Sequence, residues 1–120
     1  MSVEPTYLET RSSPERSQYL WAYRVIIENQ GRETVQLLSR HWMITNARGE
    51  LTEVKGPGVV GEQPILKPGE RFEYTSGAPL DTPSGMMGGA YQMHSESGER
   101  FDIEIPTFSL DIPNRGALLN

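Results

Sequence analysis

Gly56-Pro57-Gly58-Val59-Val60-Gly61 has the spacing G-x-G-x-x-G, the pattern of a dinucleotide-binding turn. That turn works only between a strand and a helix, because the helix N-terminus holds the pyrophosphate. Here Pro64, Pro68 and Gly69 follow at once, so no helix of useful length can start. Dinucleotide binding is excluded on this ground. A smaller role survives, since successive N–H groups of a glycine loop can form an anion nest, and Lys55 adjoins it. Lys55, Gly56, Gly58 and Gly61 are therefore the candidate anion-binding residues, for pyrophosphate or a nucleotide polyphosphate. The competing reading is a glycine-rich connection between strands, and the missing helix favours it.

The other chemistry-bearing residues are sparse. His41 and His94 fall on outward positions of two segments that become sheet neighbours in an immunoglobulin-like sandwich. They form a candidate surface patch. Zinc prefers three or four ligands, and the chain has no cysteine, so no metal site is expected. Ser39, Ser76 and Ser95 lack the G-x-S-x-G elbow of a serine hydrolase. Asp102 and Glu104 share a strand face and read as a solvated surface. Tyr19, Trp21 and Tyr23 could stack bases, but their alternation suits a core face better. No catalytic residue and no cofactor emerge.

The net charge of −5 argues against a nucleic-acid-coating surface, which needs Lys and Arg against phosphate. The absence of cysteine, with an acidic N-terminus that lacks an apolar run, points to the cytoplasm. No window reaches the length of a membrane span. The 120 residues read as one domain, 1–120. With 12 glycines and 9 prolines, turns are frequent and long helices disfavoured.

The positioning elements are strands. Val3 to Arg11 is the first, with Pro5 marking an edge or a strand start. Ser12-Ser13-Pro14-Glu15 has the form of a capping box, but no helical periodicity follows, so it predicts at most one helical turn. Tyr19 to Asn29 alternates cleanly, with Tyr19, Trp21, Tyr23, Val25 and Ile27 on the core face. Thr34 to Asn46 does not. Leu37-Leu38 places apolar groups on both faces, and Arg40 shares the face of Trp42 and Ile44. A bulge near Ser39-Arg40 resolves this, with Trp42 inward and His41 outward. Leu51 to Lys55 returns as a hairpin strand. A further strand carries Phe72 and Tyr74, and Ser76 to Gly85 reads as loop. Met86 to His94 is a strand weakened by Gly88-Gly89, with Tyr91 and Met93 inward. Phe101, Ile103 and Ile105 alternate until Pro106, after which Phe108, Leu110 and Ile112 take the other phase. About seven short strands with regular turns predict an all-β, immunoglobulin/fibronectin-III-like sandwich, with a closed barrel as the alternative.

The strings Arg40-His41-Trp42-Met43-Ile44-Thr45 and Val54-Lys55-Gly56-Pro57-Gly58-Val59-Val60-Gly61-Glu62-Gln63-Pro64 carry a specific resemblance. Together with Tyr19 to Asn29, Phe72 to Gly77, Gly85 to Met93 and Phe101 to Leu110, they resemble the bacterial ApaG family over nearly the whole chain. Asn46 is a small departure, standing where many relatives would show Asp. The resemblance implies a sandwich similar to fibronectin type III. It implies a genetic association with diadenosine-tetraphosphate hydrolase genes and with cobalt and magnesium resistance. Related domains in a eukaryotic F-box protein and a polymerase-delta-interacting protein look like interaction modules. The family brings no established catalytic residues. The expectation is a non-enzymatic binding module with protein partners, compatible with a homodimer, and the small-anion binder is the alternative.

Overall fold

The computed structural model describes residues 1–113, so the tail from Asn114 with Leu118 and Leu119 lies outside the described residues. Eight strands are present among the described residues: β1 Ser2–Tyr7, β2 Tyr19–Glu28, β3 Val35–Asn46, β4 Leu51–Pro57, β5 Ile65–Leu66, β6 Arg71–Leu80, β7 Gly85–Ser95 and β8 Arg100–Leu110. They form two antiparallel sheets packed as a sandwich. One has the order β1-β2-β6 and the other β4-β3-β7-β8, with β5 pairing the start of β3. This order is consistent with the immunoglobulin- and fibronectin-like arrangement that the strand pattern predicts. The eighth strand is the two-residue β5, too short to leave a periodic signal.

The core lies where the inward faces meet. Trp21, Tyr23, Val25 and Ile27 of β2 face Leu37, Trp42 and Ile44 of β3, with Tyr91 and Met93 of β7 beside them. Trp42 is only 2 % exposed and sits edge-to-face against Tyr23, Tyr91 and Phe108. Trp21 is equally buried, and its Nε1 donates to the Asp111 carbonyl at 2.9 Å. The indole of Trp21 thus spends its one donor, as a buried indole should.

Four local readings need correction. The first strand ends at Tyr7, and Glu9–Arg11 forms a 3-10 turn instead of continuing it. Ser76 to Leu80 is not loop, because β6 pairs residue by residue with β2 as far as Tyr19. Pro79 is tolerated there because β6 is an edge and has a side on which no ladder donor is needed. β4 runs two residues beyond Lys55, to Pro57. The β3 bulge lies at Leu38, between Leu37 and Ser39, one residue before the expected place. Leu37 is buried and Leu38 only half-buried, so the extra residue is the second leucine. The phase change in β8 does occur at Pro106. The register with β7 shifts between Met87↔Phe108 and Gly89↔Ile105. The Ser12 hydroxyl of the capping-box string accepts from the Leu20 N–H and not from Glu15, the Ser13 hydroxyl meets the Glu15 carboxylate, and a single 3-10 turn, Pro14–Arg16, follows.

Between the sheets the Tyr74 and Tyr91 hydroxyls hydrogen-bond each other in full burial. Burial is the main cause that pushes the Tyr74 hydroxyl up to about 12, and it pushes Tyr91 higher, helped by the neighbouring Tyr74. A tyrosine in the unfolded chain ionises near pH 10. Between pH 10 and 12 the folded state therefore holds more protons than the unfolded state. Stability falls as pH rises through that window, by about 1.4 kcal/mol per pH unit for each hydroxyl. Urea midpoints measured from pH 8 to 11.5 should be level up to about pH 10 and decline beyond it. A level midpoint throughout would contradict the buried tyrosine pair.

Candidate functional site

After the bulge, Ser39, His41, Met43 and Thr45 point away from the core, and their partners on β4 and β7 do the same. The pairing registers arrange these residues in rows across the outer face of the larger sheet. Leu51, Thr45 and Met86 form one row, Glu53, Met43 and Gly88 the next, and Lys55, His41 and Ala90 the third. Leu51, Met43 and Met86 are all exposed, Leu51 and Met86 by 55 % and 52 %. Gly88 and Ala90 contribute no bulk, so a trough runs down the sheet. Its apolar end, about 270 Å³, is lined by Met43, Thr45, Leu51, Met86, Gly88 and Thr107. Its polar end, about 500 Å³, is lined by Ser39, Arg40, His41, Lys55, Gly56 and Gln92.

The opposite outer face differs in kind. On β2 and β6 the Arg24 guanidinium bonds Glu73 at 2.7 Å, Arg71 bonds the same carboxylate at 2.9 Å, and Glu4 lies 3.9 Å from Arg24. Arg24 and Glu73 hold each other charged, which raises the arginine pKa and lowers that of the glutamate. That is a solvated, internally paired surface. A cavity of about 690 Å³ opens at one end of the sandwich beside Tyr19, Ile44, Asn46 and Leu80. The Glu50 and Asp81 carboxylates of its lining are spent internally, while Arg11 in the same lining makes no ion pair among the described residues. Arg48 pairs with Asp81 at 2.6 Å and Glu50 at 2.7 Å, and Asn46 donates to both carboxylates.

Arg40 is the residue to which the sequence pattern assigns no role. It lies on the inner face of β3 at the rim and bends over Gly56, where a Cβ would meet its Nη1 at 3.0 Å. The same nitrogen donates to the Pro57 and Gly58 carbonyls, each at 3.0 Å. Among the described residues no carboxylate lies within ion-pair distance of Arg40. Lys55 stands opposite His41 in the next register position. His41 is half-buried, and its Nε2 makes no hydrogen bond and lies 3.8 Å from Glu53 Oε1. Lys55 and His41 thus share the outer face at one end of the trough, and the Arg40 guanidinium lies under Gly56 on the inner side of the sheet.

The glycine loop is a tight turn. Val59 and Glu62 exchange both main-chain hydrogen bonds, at 2.8 Å each, and Val60 and Gly61 between them take φ of 43° and 81°. Two successive left-handed residues are the geometry of a two-residue hairpin turn. The N–H groups of Gly58, Val59 and Glu62 are all spent on protein carbonyls. Gly58 has φ 62°, and a Cβ there would lie 2.3 Å from the Glu62 carbonyl oxygen. Backbone geometry alone therefore accounts for that glycine. Of the candidate anion-binding residues, Lys55 and Gly56 line the polar end of the trough. Gly58 and Gly61 belong to the turn that lets Val59 plug the core.

His41 and His94 do lie on the same outer face, but the structure does not bring them together. His41 pairs with Ala90, whereas His94 pairs with Gln36, four residues further along β7. At about 3.3 Å per residue that is roughly 13 Å. Among the described residues no group of three or more His, Asp or Glu side chains is placed to hold a metal ion. The apolar members of the trough, Met43, Leu51 and Met86, are not marked as a site by sequence pattern. The outward phase of Met43, two residues after His41, is the one available signal.

The family model described as the ApaG domain matches residues 9–95. Protein ApaG of Bradyrhizobium diazoefficiens is 62 % identical over 120 residues, covering 100 % of this chain and 92 % of that protein. Protein ApaG of Parvibaculum lavamentivorans is 58 % identical over 118 residues, covering 98 % and 91 %. Among solved structures, a Bordetella pertussis protein described as ApaA superposes with a TM-score of 0.91 at 49 % identity, over 93 % of this chain and 91 % of that one. An Archaeoglobus fulgidus protein at 10 % identity has a TM-score of 0.56 and shares the fold. By sequence along its whole length and by strand arrangement, the chain belongs to the ApaG family.

Proposed function

We propose that this chain is a non-enzymatic interaction module that receives a protein partner on the outer face of its larger sheet. The observation that carries the reading is the contrast between the two outer faces. One is closed by its own ion pairs, and the other leaves Met43, Leu51 and Met86 exposed around a trough floored by glycine and alanine. Adjoining exposed apolar side chains with a polar rim mark association surfaces, because covering them removes apolar area from water. Methionine suits such a surface, being unbranched and able to adapt its shape. The test compares wild type with Met86→Lys in pull-downs from native extract. Both side-chain types are tolerated at an exposed strand position, so stability should change by less than about 0.5 kcal/mol. Proteins retained by wild type and lost from the variant support the reading, and equal retention counts against this face.

A second reading rests on Lys55 and His41, which face each other across the ladder at the polar end of the trough. In this reading their side chains, and not the loop amides, would donate to a small phosphate-containing anion. Pyrophosphate at 100 times its dissociation constant would then stabilise the protein by about 2.7 kcal/mol. Lys55→Ala should abolish most of that thermal shift while leaving the ligand-free midpoint unchanged. An equal midpoint with and without pyrophosphate removes this reading.

A further inference from the structure

The sandwich has five edge strands among its described residues, namely β1 and β6 on one sheet, and on the other β8 on one side and β4 with the two-residue β5 on the opposite side. Open edges invite pairing with another chain, and proline is one device that blocks it. Pro5 stands within β1, Pro79 within β6 and Pro106 within β8. β4 has none before its last residue, Pro57. The same side of the sheet also collects exposed apolar groups, Leu51 and Val54 on β4, Val60 in the connection and Ile65 on β5.

The direction of the free backbone groups follows from the ladder. Asn46 N–H donates to the Glu50 carbonyl, and Gly58 N–H donates to the Leu38 carbonyl. Antiparallel bonds alternate every second residue. Thr52, Val54 and Gly56 therefore turn their N–H and C=O groups toward β3. Leu51, Glu53 and Lys55 turn theirs to the open edge. Pro57 has no N–H, and its carbonyl accepts from Arg40.

We propose that β4 is a self-pairing edge whose occupant is β4 of a second copy of this chain, antiparallel about Val54. The charge pattern selects this register. Centred on Val54, Glu53 of each copy exchanges main-chain bonds with Lys55 of the other, and each side-chain pair is of opposite sign. Centred on Glu53 the two glutamates would oppose one another, and centred on Lys55 the two lysines would. The two-fold axis repeats the favourable pair, as isologous contacts require, and opposes the two exposed Val54 side chains. The pairing makes one continuous sheet across the dimer and leaves the trough on each copy facing solvent. It extends the interaction-module reading to a different surface. A failure here leaves the Met86 pull-down untouched, and the reverse holds too.

Analytical ultracentrifugation of the full chain provides the test, with amide hydrogen exchange at Glu53 and Lys55 as the local probe. Wild type should dimerise with rising concentration, and the two amides should gain protection in parallel. Glu53→Lys alone and Lys55→Glu alone each set like charges opposite one another twice, and each should weaken the dimer at least about tenfold. The double variant E53K/K55E restores opposite signs and should restore the dimer. Both positions are exposed, and circular dichroism checks that each variant is folded. A wild type that stays monomeric to about 100 µM overturns the proposal, even if the edge takes up a strand from some other protein. So does a dimer indifferent to the single charge reversals.

Discussion

Gly89→Ala should fail to accumulate as a folded protein, or should melt far below wild type. Gly89 sits in β7 opposite Trp42 of β3, at the point where the register with β8 shifts. A Cβ built there lies 2.0 Å from the His41 carbonyl oxygen and 3.1 Å from Trp42 Cα. Both are backbone atoms of a central strand, so no rotamer change relieves the overlap. Relief requires β7 to part from β3, which breaks the middle of the larger sheet. The expected cost exceeds about 4 kcal/mol, the extreme of single substitutions, and approaches the whole stability of an ordinary domain. Gly88→Ala is the matched comparison. Its Cβ would meet Thr107 Oγ1 at 2.8 Å, a side-chain tip that can turn away, and Thr107 Cα at 3.3 Å, which needs a shift of only a few tenths of an ångström, so the loss should be smaller. Urea midpoints for the pair read the difference, and equal midpoints would contradict the pairing of Gly89 with Trp42.

Trp42→Ala should lower stability by about 3–5 kcal/mol, the usual cost of deleting a large buried aromatic side chain. The indole stands at the centre of the aromatic cluster, with ring centroids 5.2 Å from Tyr23, 6.1 Å from Tyr91 and 6.2 Å from Phe108. Its removal leaves three edge-to-face contacts without a partner. His41→Ala, one residue away on the outer face, should cost far less. A small effect of Trp42→Ala together with a large effect of His41→Ala would mean that β3 presents its opposite face to the core.

Period-two alternation made β2 legible from the sequence, because both its neighbours pair without a shift and every odd residue from Trp21 to Ile27 is buried. The bulge in β3 was legible as a conflict between Leu37, Leu38 and Trp42, but its position was not. Either leucine satisfies the pattern, and only packing against β7 selects Leu37 for the core. Ser76 to Leu80 read as loop because Gly77 and Pro79 punctuate it, whereas pairing with β2 overrides that local preference. The glycine motif was legible as a non-Rossmann turn, since the missing helix is a local fact. The trough was not, because Leu51, Met43 and Met86 come from three strands and meet only through registers fixed by the whole sheet. Arg40 was visible as an inward charge, but its carbonyl partners at Pro57 and Gly58 lie across the ladder. His41 and His94 shared a predicted face, yet the ladder distance between their rows could not be read without the pairing.

Site-directed photo-crosslinking in native extract tests the protein-binding face most directly. A photoreactive residue at position 86 stands in the apolar end of the trough, and one at position 75 stands on the outer face of the smaller sheet. A discrete covalent adduct with another protein is expected from position 86, and none from position 75. Adducts of equal yield from both positions, or from position 75 alone, would contradict a binding face on the larger sheet.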